Sequence, residues 1–145
     1  EMVVASGRKV CLPWGNAEEK ARAERLASDL DGVQVLPRQS LDQLAGWLAH
    51  AQAVVGVDTG LSHVAAALEV PAVAIYGATD ARLTGALGPA MQVMSSGLDC
   101  APCLSRSCLK TDASEIQPPC YREIPPLLVF EHLQKRLDHR VIAVH

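Results

Sequence analysis

The chain has few aromatic residues, no surplus of basic charge and no apolar run long enough to cross a bilayer. Two tryptophans, two tyrosines and one phenylalanine in 145 residues argue against an aromatic-rich binding surface. The apolar share of 49% comes mainly from alanine, valine and leucine, side chains suited to closely packed layers of helix on sheet. A net charge of -3 lacks the basic stripe with which proteins meet DNA or RNA, so no nucleic-acid polymer is expected as a partner. No segment approaches the roughly 18 apolar residues of a membrane helix, and the start EMVVASGRKV has no signal-peptide core. A cytoplasmic location is expected.

The length suits a single domain spanning residues 1–145. The abrupt start, which reaches a first strand almost at once, points to a piece of something larger. Four of the five cysteines, Cys100, Cys103, Cys108 and Cys120, are spaced C-x2-C-x4-C-x11-C, one knuckle of a zinc site without its mate. Reduced thiols in a proline-bounded loop are the expected state and no metal is assigned. A structural zinc on these four is the alternative, and a reducing compartment disfavours a disulfide. Cys11 lies in a strand pattern and is expected in the core.

Strand and helix signals alternate. KVCL, at residues 9–12, runs into the turn cluster Pro13-Trp14-Gly15-Asn16. Ala23, Leu26, Ala27 and Leu30 then form an amphipathic stripe, which Asp31-Gly32 stops. Residues 33–36 read as a second strand. Ser40-x-x-Gln43 is a capping box opening a helix with Leu41, Leu44, Ala45 and Leu48 on one face. Ala53 to Val57 is apolar on both sides, as in a strand buried between two helix layers. Leu61, Val64, Ala65 and Leu68 mark the next helix, and PAVAIYG the fourth strand. Such a series of crossovers predicts an α/β fold, a Rossmann-like parallel sheet flanked by helices. Further on, MQVM is a candidate strand and residues 95–124 read as an irregular Cys/Pro-rich loop. A last helix opens at Pro125-Pro126 and packs through Phe130, Leu133 and Leu137. The terminal RVIAVH is ambiguous.

The stretch VVGVDTGLSHVAAALEVPAVAIYG, residues 54–77, concentrates the chemistry. In open α/β sheets, ligands bind beyond the carboxyl ends of the strands. There, Thr59, Gly60 and Leu61 would offer helix-start amides with no internal acceptor, a seat for an anion such as phosphate. Gly60 lets a bulky anion approach the backbone. Asp58 carries the wrong charge for a phosphate, which leaves it to cap the helix or to accept hydroxyls of an adjoining sugar. His63, near a positive helix end, suits a neutral hydrogen-bonding role. The bland alternative makes Thr59 an N-cap and His63 a surface residue. Asp-Thr-Gly also opens the loop of aspartic proteases, but those are all-β and need a second copy. Asp29-Leu30-Asp31 imitates a metal-binding D-x-D at a helix end, and Ser62 beside His63 is no nucleophile and base by sequence alone.

VVGVDTGLSHVAAALEVPAVAIYGATD, together with LPWGNAEEKARAERLA before it, resembles the lipopolysaccharide heptosyltransferases, family 9 of the GT-B glycosyltransferases. The LPWG form is most similar to the heptosyltransferase I branch. The likeness covers most of residues 9–90, and the loop CAPCLSRSC is similar to loops in some members. In that family two Rossmann-like domains face a cleft and the carboxyl-terminal one, which this chain resembles, binds ADP-heptose. The resemblance implies that Asp58, Thr59, Gly60, Leu61 and His63 line the diphosphate and sugar site. It implies that Glu19 meets the ribose or nearby donor groups, and that the Leu36 to Gln39 turn flanks adenine. Thr79 and Asp80 match the family's GPTDP loop near the sugar, although Ala78 and Ala81 replace its prolines. In the family the general-base aspartate lies in the amino-terminal domain and a lysine that helps neutralise the diphosphate precedes the LPWG strand; neither is expected in this chain, so no catalytic residue is assigned and the chain is expected to be inactive by itself.

For the intact protein the resemblance implies direct, inverting displacement without a metal or other cofactor. The acceptor would be lipid A-linked and reached through the amino-terminal domain, with peripheral membrane contact only in the intact enzyme. A stand-alone nucleotide-binding module, or a related transferase using another nucleotide-sugar, is the alternative.

Overall fold

A computed structural model describes residues 1–110 and 116–142. They fall into two compact units, Glu1–Trp47 and Leu48–His145.

In the first unit a single helical turn, α1 (Met2–Ala5), precedes β1 (Val10–Leu12), α2 (Ala17–Ala27) and β2 (Val33–Val35). β1 and β2 pair in parallel, Val10 opposite Val33, as a strand-helix-strand crossover requires. α2 starts where Asn16 Oδ1 accepts the Glu19 amide at 2.9 Å and Glu19 Oε2 accepts the Gly15 amide at 2.7 Å. This is a reciprocal cap with asparagine in the leading place. Lys20–Glu24 and Glu18–Arg22 pair along the exposed face at i, i+4. Ala23 is the residue α2 buries, whereas Leu26 of the expected stripe is exposed and Leu30 lies past the helix end. Cys11, expected in the core, is exposed, because alternation along the three-residue strand turns Val10 and Leu12 inward instead. The Ser40-Gln43 box that opens α3 (Leu41–His50) forms as expected, with Ser40 N to Gln43 Oε1 at 2.8 Å and Gln43 N to Ser40 Oγ at 3.2 Å.

The second unit holds β3 (Val54–Val57), α4 (Gly60–Ala67), β4 (Ala72–Tyr76), α5 (Ala81–Thr84), β5 (Met91–Ser95) and α6 (Pro126–Ile142). Its sheet runs β3-β4-β5, all parallel. The strand expectations hold, MQVM included, but the strands hydrogen-bond as two sheets, one in each unit. β4 is the buried strand: Val73, Ala74 and Tyr76 are fully covered. β3, expected to be covered on both sides, alternates, with Val55 and Val57 turned outward.

Of the expected stripe, α4 buries Ala65 and half-buries Leu61 and Val64, while Leu68 is exposed; Ser62 and Ala66 are buried as well. Small residues are needed here because α4 lies close on β3. An added Cβ on Gly56 would collide with Ser62 Oγ, so glycine is required by space. The Ser62 hydroxyl, buried, donates to Val57 O at 2.6 Å, which satisfies its polarity. α4 ends in a Schellman turn: Val70 N reaches Ala65 O and Glu69 N reaches Ala66 O, both at 3.0 Å. Glu69 occupies the left-handed position usually given to glycine, at φ 52°.

α6 covers the sheet through Val129 and Leu133; Phe130 and Leu137, also expected inside, are half-buried. Of the ambiguous terminal segment, residues 140–142 belong to α6 and residues 143–145 lie outside the described residues. Between β5 and α6 the described chain is irregular apart from a 3-10 turn at Pro119–Glu123, and residues 111–115 of the expected loop lie outside the described residues. Glu123 Oε2 accepts the Gly97 amide at 2.7 Å and ties the two ends of this loop together. Among the described residues no helix is long and apolar enough to cross a membrane.

Candidate functional site

The second unit presents two successive strand ends, each followed by an aspartate and a helix. Beyond β3 come Asp58, Thr59 and the first turn of α4; beyond β4 come Gly77, Ala78, Thr79, Asp80 and α5. Both turns lie at carboxyl ends of parallel strands, where amides point outward.

At the first turn Thr59 is the N-cap residue, extended at φ -143°, ψ 161°, yet its hydroxyl makes no capping bond. Among the described residues nothing accepts a hydrogen bond from the Gly60 or Leu61 amide. Both residues sit at the surface end of the helix, Gly60 exposed and Leu61 half-buried. The positive end of the α4 dipole is therefore unneutralised, a place that favours an anion. Asp58, half-buried, does not supply the missing cap. Its Oδ2 accepts the Thr84 hydroxyl at 3.2 Å, and Thr84 Oγ1 also lies 3.3 Å from Asp80 O. His63 is exposed on the first turn of α4.

At the second turn Asp80 does cap. Its Oδ1 accepts the Arg82 amide at 2.9 Å, and the Arg82 guanidinium closes on the carboxylate at 3.0, 3.2 and 2.7 Å. The Arg82 side chain, followed by its amide, holds the Asp80 carboxyl below the usual carboxylate range, and Asp80 in turn raises Arg82. The far side of α5 is pinned from the core: the buried Tyr76 hydroxyl accepts the Ala86 amide at 2.9 Å. Gly85 completes the bend, since an added Cβ would strike Ala81 O. Thr79, in the second turn, is half-buried. The second unit thus brings Asp58, Thr59, Gly60 and Leu61 together with Asp80, through Thr84.

Glu19 and Gln39 belong to the first unit. Glu19 spends Oε2 on the Gly15 amide, and Gln39 Nε2 donates to Pro37 O at 3.1 Å. In the same unit Trp14 Nε1 donates to Leu36 O at 2.7 Å, and Lys20 Nζ stands 5.5 Å from the Trp14 ring centre. This gives the Leu36 to Gln39 turn a fixed support.

All five cysteines are free thiols, and among the described residues no three Cys, His, Asp or Glu side chains are grouped to hold a metal ion. Cys120 is buried where Gly77 leaves room for it, and burial raises its thiol pKa, with the neighbouring Cys108, Cys103 and Cys100 adding to the rise. Thr84 and Arg82 were not foreseeable as members of the site in the same way as Asp58. Arg82 two places after Asp80 is the spacing of a side-chain cap, a local signal, but nothing near Thr84 in sequence announces a partner 26 residues earlier.

Comparison with known proteins identifies the family. The model of glycosyltransferase family 9 (heptosyltransferase) matches residues 1–113. Lipopolysaccharide heptosyltransferase 1 of Pseudomonas aeruginosa is 41% identical over 94% of this chain, and the chain spans 41% of that protein's length. A structure of E. coli heptosyltransferase WaaC with ADP-2-deoxy-2-fluoro heptose superposes with a TM-score of 0.60 at 43% identity, over 66% of this chain and 29% of that one. E. coli ADP-heptose lps heptosyltransferase II superposes with a TM-score of 0.75 at 26% identity, over 96% of this chain and 39% of that one. The parallel α/β architecture and the matched residues point one way. The chain belongs to glycosyltransferase family 9, the heptosyltransferase family.

Proposed function

We propose that the chain is the donor-binding part of a heptosyltransferase that transfers heptose from ADP-heptose to the Kdo-lipid A inner core of lipopolysaccharide. The observation that carries this reading is the pair of uncapped amides at Gly60 and Leu61 beside an aspartate held to one side. Family membership supports it, as does a relative solved with an ADP-sugar analogue.

In this proposal the Gly60 and Leu61 amides receive the diphosphate, and Gly60 leaves the space for it. Asp58, with Oδ2 engaged by Thr84, turns Oδ1 to a hydroxyl of the heptose, and Asp80 and Thr79 stand close to the same sugar. His63 adds a hydrogen bond at the edge of the seat. The family resemblance further proposes Glu19 as a contact of the ribose and the Leu36 to Gln39 turn as a contact of adenine. As the anomeric bond breaks, negative charge collects on the leaving diphosphate, where oriented amides stabilise it without reorganising. Deprotonation of the acceptor hydroxyl needs a general base, and the reading assigns that base to no residue of this chain. The chain then binds donor without transferring it. The acceptor and the contact with the inner face of the inner membrane belong to the intact enzyme.

Calorimetric titration with ADP-heptose, ADP, UDP and GDP tests the reading. Binding of the two adenine nucleotides in preference to UDP and GDP is expected, and preference for UDP would overturn the donor.

A further inference from the structure

Two aspartates stand at successive strand ends and behave differently: Asp80 is the N-cap residue of α5, whereas Asp58 stands one place before Thr59, the N-cap residue of α4. Asp80 accepts the amide two residues on, that of Arg82, at 2.9 Å, which is the ordinary habit of aspartate at a turn. For Asp58 the amide two residues on is that of Gly60, one of the two that lie open. A carboxylate there would gain a charge-assisted bond and the helix dipole at once. Asp58 nevertheless accepts from Thr84 Oγ1 instead, at 3.2 Å.

Thr84 is in turn held in place. It ends α5, whose start is capped by Asp80. The next residue, Gly85, donates to Ala81 O at 2.8 Å and has no room for a side chain, while Ala86 is bonded to the buried Tyr76 hydroxyl. The hydroxyl of Ser62, a further donor on the first turn of α4, is committed to Val57 O. Thr84 is therefore the donor among the described residues that draws the Asp58 carboxylate away from the mouth of α4.

We infer that Thr84 is a positioning residue which keeps Asp58 from capping its own helix, so that the Gly60 and Leu61 amides stay available to the donor's diphosphate. The inference rests on the reading of the α4 start as the diphosphate seat. Without the Thr84 hydroxyl, Asp58 turns back onto Gly60 and becomes a built-in competitor of the phosphate.

The test is a cycle of four proteins, the unchanged chain, Thr84→Val, Asp58→Ala and the double variant, titrated with ADP and with adenosine. Thr84→Val is expected to weaken ADP binding about tenfold in the unchanged background, the size of one helix cap, and to have no effect once Asp58 is alanine. Adenosine binding stays level throughout, and Thr84→Ser behaves as the unchanged chain. In Thr84→Val the Gly60 amide exchanges with solvent more slowly and the melting temperature holds or rises, whereas a merely structural threonine would lower it. A loss of ADP affinity that persists in the Asp58→Ala background overturns the inference, and so does no loss at all. If the unchanged chain binds ADP no more tightly than adenosine, the diphosphate seat itself is wrong and the inference falls with it. Tighter binding of ADP that is indifferent to Thr84→Val leaves the seat standing and removes only the role of Thr84.

Discussion

The turn after β3 and the turn after β4 are built from the same parts and end in opposite states. Each offers an aspartate and a helix start at the carboxyl end of a parallel strand, Asp80 as the N-cap residue of α5 and Asp58 one place before the N-cap residue of α4. After β4 the turn is closed: Asp80 takes the Arg82 amide and its guanidinium, and the site's charge is spent internally. After β3 the turn is open, because Asp58 is drawn to Thr84 and the Thr59 hydroxyl caps nothing. Stability favours the closed arrangement, since an unmet helix start forgoes about 1 kcal/mol of capping. An open one is retained where a ligand supplies the missing acceptor.

The largest expected effect strikes the support of the open turn. Gly56→Val drives a side chain into Ser62 Oγ and lifts α4 from β3, with an expected loss of about 3 kcal/mol in urea unfolding. An unchanged midpoint would mean that α4 is not seated on β3 as described. Tyr76→Phe attacks the closed turn from beneath. It leaves the buried Ala86 amide without its acceptor, for an expected loss of about 2 kcal/mol; a neutral result would show that α5 needs no anchor.

These two effects differ in how visible they are beforehand. The glycine in a strand and the serine six residues on are a pattern that sequence displays, although only the fold shows them sharing one space. The Tyr76 to Ala86 bond looks from sequence like any aromatic at the end of a strand. The same division runs through the molecule. The Ser40-Gln43 box was legible because both partners sit within one turn, and the Asn16-Glu19 box has the same spacing with a leading residue that is equally able to cap. The apolar stripes of α2 and α4 named a face but not its cover. Leu26 and Leu68 consequently stand exposed, while Ala23, Ala65 and Ala66, which fit where backbones run close, are buried. The aspartate of the open turn could be singled out as the wrong charge for a phosphate. What diverts it could not, because Thr84 is brought to it only by the parallel pairing of β3 with β4 and the course of α5 after β4.

A smaller change acts at the far end of α4. Glu69 holds a left-handed conformation at φ 52°, so Glu69→Gly should stabilise the unit by about 1 kcal/mol. A loss instead would show that the Glu69 side chain earns its place. The smallest effect concerns charge in the closed turn. The depressed carboxyl of Asp80 favours the folded state fully above the pKa of an unfolded aspartate, and that favour fades as pH falls through the lower folded value. Removing the partner with Arg82→Ala should move the Asp80 carboxyl titration, followed by carbon NMR, up toward the ordinary aspartate value. No movement would contradict the ion pair as its cause.

The claim on which the account turns is that the open amides are the seat of the donor's diphosphate. Amide NMR of the chain during titration with ADP tests it most directly. The account predicts that Gly60 and Leu61 shift most among the residues following β3 and β4, and that adenosine leaves them unmoved. ADP binding with both amides unshifted would contradict it.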